Sequence, residues 1–578
     1  MEDLTAKEVA AMLNELADLM EIKGDNPFRI RAYQNAARAI TGQSEKLIDI
    51  VKDGRLQDIK GVGEGLAGII TEIFETGTSS QLEELKRELP AGISELLNIP
   101  GLGPKRAHQL YYELEINNID DLKLALKENQ VQTLKGFGPK TENNLLEALL
   151  EYENYQGLMT IGRADKLAKR LEEYFKESDG LWKQMSFAGS LRRRKELVKD
   201  IDMIFVPAED KLEELKDTIK NYPESEKIEL AGDTKITLQL ENGIKVDFRL
   251  LEEESYPFAQ QHFTGSKEHN VVIRRIAKEA GYISNEYGLF DRETDEKVTR
   301  INTEADLYEF LGLSYIIPEL REDKGEIEAA SENKLPESVE LADIKGELHL
   351  HTRYSDGACT IEEMVEAAIA QGYEYIAVTD HSESLRIASG LTVEDLEEQA
   401  KEIAEVQKKY PDFKILSGIE VDILSDNNLD FSDEVLEKLD LVIGSIHSGF
   451  TQSEAEINER IITAMENPNV DIIAHPRGRL LGKREAYPVD MDKIIKEAAR
   501  TGTALEINAS PSRLDLDDHY AKKAKEADVK ISINTDAHHT RELKDMELGV
   551  SVARRGWLEK DDIINTMNSD QLIDYLNK

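Results

Sequence analysis

The sequence predicts a multidomain chain in which a helical region, an α+β domain and a barrel-like α/β domain follow one another. Three observations carry this reading. Glycine-centred turns recur in the first 150 residues, at 59–70, 99–110 and 134–145. Strand-like runs cluster between residues 155 and 320. From about residue 345, apolar runs alternate with amphipathic helices through about seven units, the pattern of a mostly parallel sheet.

In the helical region the repeated segments read IKGVGEGLAGII, IPGLGPKRAHQL and LKGFGPKTENNL. Each sets an apolar residue beside Gly-x-Gly and continues as a helix. Glycine permits the tight turn, and N–H groups at the start of the next helix can face a phosphate. One such turn is usually only a connection between helices. Three copies in register resemble the helix-hairpin-helix motif, which holds nucleic-acid backbone without reading sequence. The N-terminal segment MEDLTAKEVAAMLNELADLM places Val9, Leu13, Leu16 and Met20 on one helical face. It lacks a basic leading region and a small-residue cleavage site, so no signal peptide is expected.

Charge argues the other way. With 72 basic against 115 acidic residues the formal net charge is −43, whereas phosphate binding usually calls for a basic face. A solvated acidic surface, such as a salt-rich cell favours, accounts for the total. Arg192-Arg193-Arg194-Lys195 reads as a local basic patch within it. Main-chain N–H groups need little positive charge, which answers much of the objection. The single cysteine, Cys359, excludes an intrachain disulfide and all-cysteine zinc sites and suits a reducing compartment. No run of eighteen apolar residues occurs, so a cytoplasmic protein without a membrane partner is expected, acting as a monomer.

The α+β domain begins with a helix around 163–177, followed by strands at MSFAG, IDMIFVP, KIELAG, TKITLQL and KVDFRLL. Alternation turns Asp200 and Asp202 to one face of their strand, and a later strand offers Asp247. Carboxylates on one face repel unless a cation lies between them, so a divalent metal site is expected. Two ions held this way would activate a 3′-hydroxyl and neutralise a pyrophosphate leaving group. Gly189, Ser190 and the arginine run supply N–H, hydroxyl and guanidinium donors for triphosphate oxygens. Residues 319–344, polar and rich in Glu and Lys, read as a linker.

In the barrel, strands are expected near 346–351 and 375–380 and helices at 361–371 and 393–409. Eight of the eleven histidines lie in the last 240 residues, and most follow strand-like runs: GELHLH, YIAVTDH, LVIGSIH, DIIAHP and ISINTDAH. ILSGIE ends similarly in an acid. A lone histidine is ordinarily a core residue. Imidazole and carboxylate repeated at strand ends are what a cluster of divalent ions requires, and in parallel barrels these ends host the chemistry. The pattern reads as a multinuclear metal hydrolase.

GSLRRR…DID…VDFRL followed by HFTGSKEHN resembles the family X DNA polymerases, nucleotidyltransferases that include polymerase beta. NPFRIRAYQNAARAI with its GVG turn resembles their small 5′-phosphate-binding domain, and the C-terminal ligand series resembles the polymerase and histidinol phosphatase (PHP) domain. Together these match, over essentially the whole chain, the bacterial and archaeal polymerases of family X that carry a PHP domain. The resemblance implies a helical 5′-phosphate-binding domain at 1–90, a further helix-hairpin-helix region at 91–155, a polymerase-beta-like palm with a nucleotide-selection subdomain at 156–318, and a distorted (β/α)7 PHP barrel at 345–578. It implies Asp200, Asp202 and Asp247 as ligands to Mg2+ or Mn2+. Gly189, Ser190 and Arg193 would meet the triphosphate, while Phe263, Gly265, Ser266 and Asn270 would line the nucleotide. DNA contacts would come from Arg29, Tyr33, Gly61, Gly63, Gly101, Gly103, Lys105, Gly136 and Gly138. The PHP ligands would be His349, His351, Asp356, His381, Glu420, His447, His475, Asp536 and His538, holding up to three Mn2+ or Zn2+ ions.

Gap filling in DNA repair and 3′→5′ exonuclease action on DNA follow from the resemblance, with abasic-site cleavage left open. Arg353, Arg386, Arg477 and Arg479 are expected to hold substrate phosphate, and Asp380 and His539 to support neighbouring ligands. Two departures stand out. Where lyase members of the family carry a Schiff-base lysine and its companion, this chain has Ile69 and Gly65, so no 5′-deoxyribose phosphate lyase activity by that route is expected. His262-Phe263 replaces the family's Tyr-Phe pair, implying looser discrimination against ribonucleotides. Competing readings are a small-molecule phosphatase fused to a DNA binder, and a non-catalytic DNA-binding scaffold with structural metals.

Overall fold

The computed structural model describes residues 6–577 except 42–46, 91, 100, 156, 179 and 241–242. The chain forms two compact units: Met1–Gln156 with the short segments Asp356–Thr360 and Gly482–Glu485, and the remainder.

The first unit is helical, with its longer helices at Ala6–Lys23, Pro27–Thr41, Glu64–Thr76, Pro104–Leu114 and Pro139–Tyr155. Val9, Leu13, Leu16 and Met20 all point into its core, where they meet Ile30, Ile40, Ile70 and Leu110. The three glycine turns share one construction. Gly61, Gly101 and Gly136 lie at φ 97°, 82° and 91°, where only glycine is unstrained. The apolar residue after each folds back, Val62 N to Ile59 O at 3.0 Å, Leu102 N to Ile99 O at 3.0 Å and Phe137 N to Leu134 O at 3.1 Å. Gly63 and Gly103 are the N-caps of the helices that follow.

The second unit contains a five-stranded and a seven-stranded sheet, besides two short two-stranded pairs. Strands β1 (Trp182–Phe187), β2 (Asp200–Pro207), β3 (Ser225–Ala231), β4 (Lys235–Leu240) and β5 (Lys245–Leu250) form a sheet in the order β1-β2-β5-β4-β3. Only β2 and β5 pair in parallel; the other neighbours are antiparallel. Helices Tyr256–Thr264, Lys267–Glu279 and Glu304–Phe310 follow.

The polar stretch expected as a linker is instead packed. Leu320, Ile327 and Ala330 join Ile273 and Tyr308 in a core, and Arg321 and Glu326 are fully buried. Its charges misled the sequence reading because they are paired: Arg321 Nη1 bonds Glu304 at 2.7 Å and Glu326 bonds His269 Nδ1 at 2.7 Å.

Seven parallel strands then follow in sequential order: β6 (Gly346–Leu350), β7 (Tyr375–Val378), β8 (Lys414–Asp422), β9 (Leu441–Ser445), β10 (Ile472–Ile473), β11 (Ala504–Asn508) and β12 (Ile531–Asn534). Val, Ile and Leu dominate them because helices such as Ile361–Ala370 and Val393–Lys409 cover the outer face. His351 N bonds the Ala537 carbonyl at 2.8 Å, and Leu350 bridges Ala537 in parallel, so first and last strands nearly close the barrel. Arginine–carboxylate pairs join barrel to palm: Arg479 to Glu196 at 2.6 Å and Arg554 to Glu319 at 2.9 Å.

Candidate metal centres and nucleotide site

On the palm sheet, Asp200 and Asp202 share one face of β2, and Asp202 lies in register with Asp247 of β5. Burial, followed by repulsion from Asp200 and Asp247, raises the Asp202 carboxyl to about 7. Arg249 and Lys235 offset this only in part, and a divalent ion fits the cluster. Gly189 adds a second sign of close construction: at φ 62° it presses against Asp202, and a Cβ there would come within 2.2 Å of Asp202 Oδ2. Asp247 is held by Lys235 at 2.6 Å and by the Thr237 hydroxyl at 2.6 Å. Neither residue stood out in TKITLQL. Alternation put both on one face, but their register against Asp247 depends on a pairing that sequence does not display.

The arginine run is not a free basic patch. Arg192 grips Glu304 with both terminal nitrogens, at 3.0 and 2.6 Å. Arg193 donates Nε to Glu322 at 2.9 Å and Nη1 to the Thr264 carbonyl. Arg194 pairs with Asp165 and bonds Ser551 Oγ at 3.0 Å. Arg249 stacks over Phe263, 4.5 Å from the ring centroid. Gly265 lies at φ 74°, with Arg193 Nη1 3.0 Å from where a Cβ would stand. Ser266 caps the next helix by accepting from His269 N at 3.2 Å. The Asn270 amide accepts from Gln261 and donates to the His262 carbonyl, both at 2.7 Å.

Among the expected DNA contacts, Tyr33 is corrected. Its ring is buried and its hydroxyl bonds Gln81 at 2.7 Å, because its position on an amphipathic helix points it inward. Arg29 is exposed and pairs with Asp25 at 3.1 Å. A Cβ at Gly61, Gly63, Gly103, Gly136 or Gly138 would meet nothing within 4 Å, so these turns present bare backbone. Lys105 lies on the exposed first turn of its helix.

In the barrel, all nine predicted ligands come from strands or the residues just after them. His349 lies in β6, Glu420 in β8, and His447, His475 and Asp536 each two residues past a strand end. His351, Asp356, His381 and His538 each offer a ligand atom within 4.8 Å of the others; so do His349, His351 and Asp536, and His381, Glu420 and His447. His475 Nε2 lies 3.2 Å from Glu420 Oε1. His349 Nε2, His351 Nδ1 and Glu420 Oε2 are buried without a hydrogen-bond partner among the described residues. Buried lone pairs aimed at one another are costly unless a cation receives them, so the donor set fits a divalent cluster. Burial opposes ionisation of Glu420, yet His447, His381 and His349 hold it well below the usual carboxylate range.

Behind the ligands stand acids that sequence reading missed. Glu506 of β11 accepts from His349 Nδ1 at 2.7 Å and from the His475 backbone N–H at 2.8 Å. Asp422 accepts from His447 Nδ1 at 2.8 Å. Both lie inside buried strands, where an acid among Val, Ile and Leu was the available signal. Asp380 accepts from Thr352 N, Thr352 Oγ1 and Gln399 Nε2 at 2.6–2.7 Å, shaping the turn after His351. His539 caps Thr540–Asp545 by accepting from Arg541 N at 3.2 Å. Two of the expected phosphate-holding arginines are corrected: Arg477 is tied to Asp517, and Arg479 to Glu196 and the Leu514 carbonyl. Carboxylates brought from other segments claim them. Arg353 lies beside Glu363 at 3.5 Å, and Arg386 opens the short helix Arg386–Ala388.

A palm carboxylate triad and a barrel lined with nitrogen and oxygen donors, on a chain that begins with helical hairpins, are the pattern of nucleic-acid enzymes that use divalent ions. Comparison with known proteins agrees. Residues 5–79 match a helix-hairpin-helix domain, 53–115 and 93–150 a SAM-like helix-hairpin-helix tandem, 259–322 the DNA polymerase beta thumb and 347–510 the PHP domain. The chain is 43% identical over 574 residues, 99% of each chain, to the DNA polymerase/3'-5' exonuclease PolX of Bacillus subtilis (strain 168). Over 38% of its length the chain is 33% identical, across 229 residues, to a protein of Thermoanaerobacter sp. (strain X514) named "Probable phosphatase", of which 89% is covered. A protein of the same name from Syntrophotalea carbinolica is 30% identical over 233 residues. The chain belongs to the family X DNA polymerases that carry a C-terminal PHP domain.

Proposed function

We propose that this chain extends DNA 3′ ends across short gaps with its palm and trims 3′ ends with its PHP barrel, as an enzyme of DNA repair. The observation that carries the reading is the end-to-end similarity to a protein named for both activities, joined to a complete donor set at each centre. In the palm, Asp200, Asp202 and Asp247 would hold Mg2+ or Mn2+, which when bound neutralises charge on a transferred phosphate and acidifies a hydroxyl. Ser190 and the N–H groups around Gly189 would receive triphosphate oxygens, and Phe263 and Asn270 would bound the nucleotide. The hairpin glycines would carry the DNA backbone on main-chain N–H groups. In the barrel, the nine ligands would hold Mn2+ or Zn2+, the source of hydroxide at neutral pH. Glu506 and Asp422, bonded to His349 and His447 through Nδ1, would turn the other imidazole nitrogen to the cluster, and Arg353 and Arg386 would meet a substrate phosphate. With Ile69 and Gly65 in place of lysines, no lyase activity of the Schiff-base type is proposed.

The test is a gapped duplex with Mn2+, with and without dNTPs. His349→Ala with His351→Ala abolishes trimming and leaves incorporation largely intact; Asp200→Ala with Asp202→Ala does the converse. Loss of both activities in either variant would contradict two separate centres. Similarity of the barrel to proteins named as phosphatases favours a second reading, action on small phosphate monoesters. Turnover of p-nitrophenyl phosphate, with no shortening of DNA, would select it.

A further inference from the structure

Arg193 is held at two of its three guanidinium nitrogens. Nε donates to Glu322 and Nη1 to the Thr264 carbonyl, while Nη2 has no protein acceptor among the described residues. The anchor itself is set from the barrel. Arg555, at the end of helix Met546–Arg555, donates Nη1 to the same Glu322 oxygen at 3.1 Å and to the Arg193 backbone carbonyl at 2.8 Å. Its Nη2 bonds Asp518 at 2.9 Å, and Asp518 also receives Lys324 at 3.1 Å. One barrel arginine therefore touches both the Glu322 carboxylate that anchors Arg193 and the backbone carbonyl of Arg193 itself.

The Arg193 and Glu322 side chains are each 12% exposed and that of Arg555 only 6%. Salt screens such buried pairs little, and charge-assisted bonds to a planar fork fix direction as well as distance. Burial works to protonate Glu322, but Arg555 and Arg193 outweigh it and keep the carboxylate ionised. Gly265 leaves the room this arrangement needs, since a Cβ there would crowd Arg193 Nη1 at 3.0 Å.

We infer that Arg555 and Glu322 are positioning residues for nucleotide binding: a side chain of the hydrolase domain orients the Arg193 guanidinium so that its open Nη2 edge addresses the phosphates of the incoming nucleotide. The inference rests on the proposal that Arg193 contacts the triphosphate. An arginine held in place beforehand loses less freedom on binding, so the effect belongs in KM for dNTP more than in kcat.

Steady-state incorporation opposite a defined template base tests it in the full-length protein. Arg555→Ala and Glu322→Ala each raise KM for dNTP about tenfold with kcat changed less than about twofold. Glu322→Gln, which keeps an acceptor for Nε, stays near wild type. The double alanine variant is no worse than either single, because both act through one guanidinium. Exonuclease activity of Arg555→Ala on single-stranded DNA is unchanged. Arg193→Ala is the control. If it leaves KM unaltered, the triphosphate contact is wrong and the inference falls with it. If it raises KM while Arg555→Ala and Glu322→Ala do not, positioning alone is overturned. A parallel fall of both activities with the unfolding temperature would reduce the pair to a structural clamp and overturn it as well.

Discussion

Glu506 accepts hydrogen bonds from His349 Nδ1 on one oxygen and from the His475 N–H on the other, so two ligands from different strands share one support. Such a carboxylate selects the imidazole tautomer and raises its basicity as a ligand. Glu506→Ala is expected to weaken Mn2+ or Zn2+ binding by about 10- to 100-fold, read by calorimetric titration of metal-stripped protein; an unchanged affinity would show that His349 needs no such support. The expected ligands drew notice because most of them close or closely follow an apolar run, with Asp356, in HTRYSD, the exception. Glu506 did not, because ALEIN reads as a strand whichever way Glu506 faces. The backbone at two ligands was equally hidden: His475 and Asp536 sit at φ 29° and 54°, left-handed values that a non-glycine residue adopts only when its surroundings enforce them.

At the scale of elements, the strands of both sheets and the three hairpins fall where alternation and glycine placed them. Long-range charge pairing did not show in the sequence. Glu304, on the helix Glu304–Phe310, lies between Arg192 and Arg321, more than a hundred residues away in one case. Burial opposes its ionisation, yet Arg321 and Arg192 prevail and lower its carboxyl from 4.5 to about 2. A depressed carboxylate stabilises the fold above its unfolded pKa, and that stability drains away as pH falls toward the folded value. The advantage of wild type over Glu304→Gln should therefore shrink by roughly 2 kcal/mol between about pH 6 and pH 3. Urea unfolding at several pH values measures it, and an advantage independent of pH would remove Glu304 as the source. The same pairing explains the mistaken linker, whose charges close inward on Arg321 and Glu326.

For the molecule as a whole, the proposed hold on DNA through backbone N–H groups at open hairpin glycines, with few basic side chains such as Lys105, reconciles the net charge of −43 with a nucleic-acid partner. A hold of that kind releases few condensed counterions. The slope of log K against log salt for gapped DNA should correspond to about three or fewer neutralised phosphates, measured by fluorescence anisotropy. A slope as steep as that of lysine-rich binders would mean that basic side chains do the holding. The succession of three architectures was legible from periodicity. The contacts that Arg194, Arg479, Arg554 and Arg555 make between the barrel and the palm or thumb were not, since each needs a partner chosen by tertiary folding.

The barrel's donors are spread along the strand order, from His349, His351 and Asp356 at the first to Asp536 and His538 after the last. During synthesis, then, no partial chain lacking the final strand carries the complete donor set of the barrel. The palm waits as well, because Arg555, which ties Glu322 and the Arg193 carbonyl, lies beyond that strand. The same closing stretch of chain thus completes the hydrolytic cluster and the anchoring of the palm arginine.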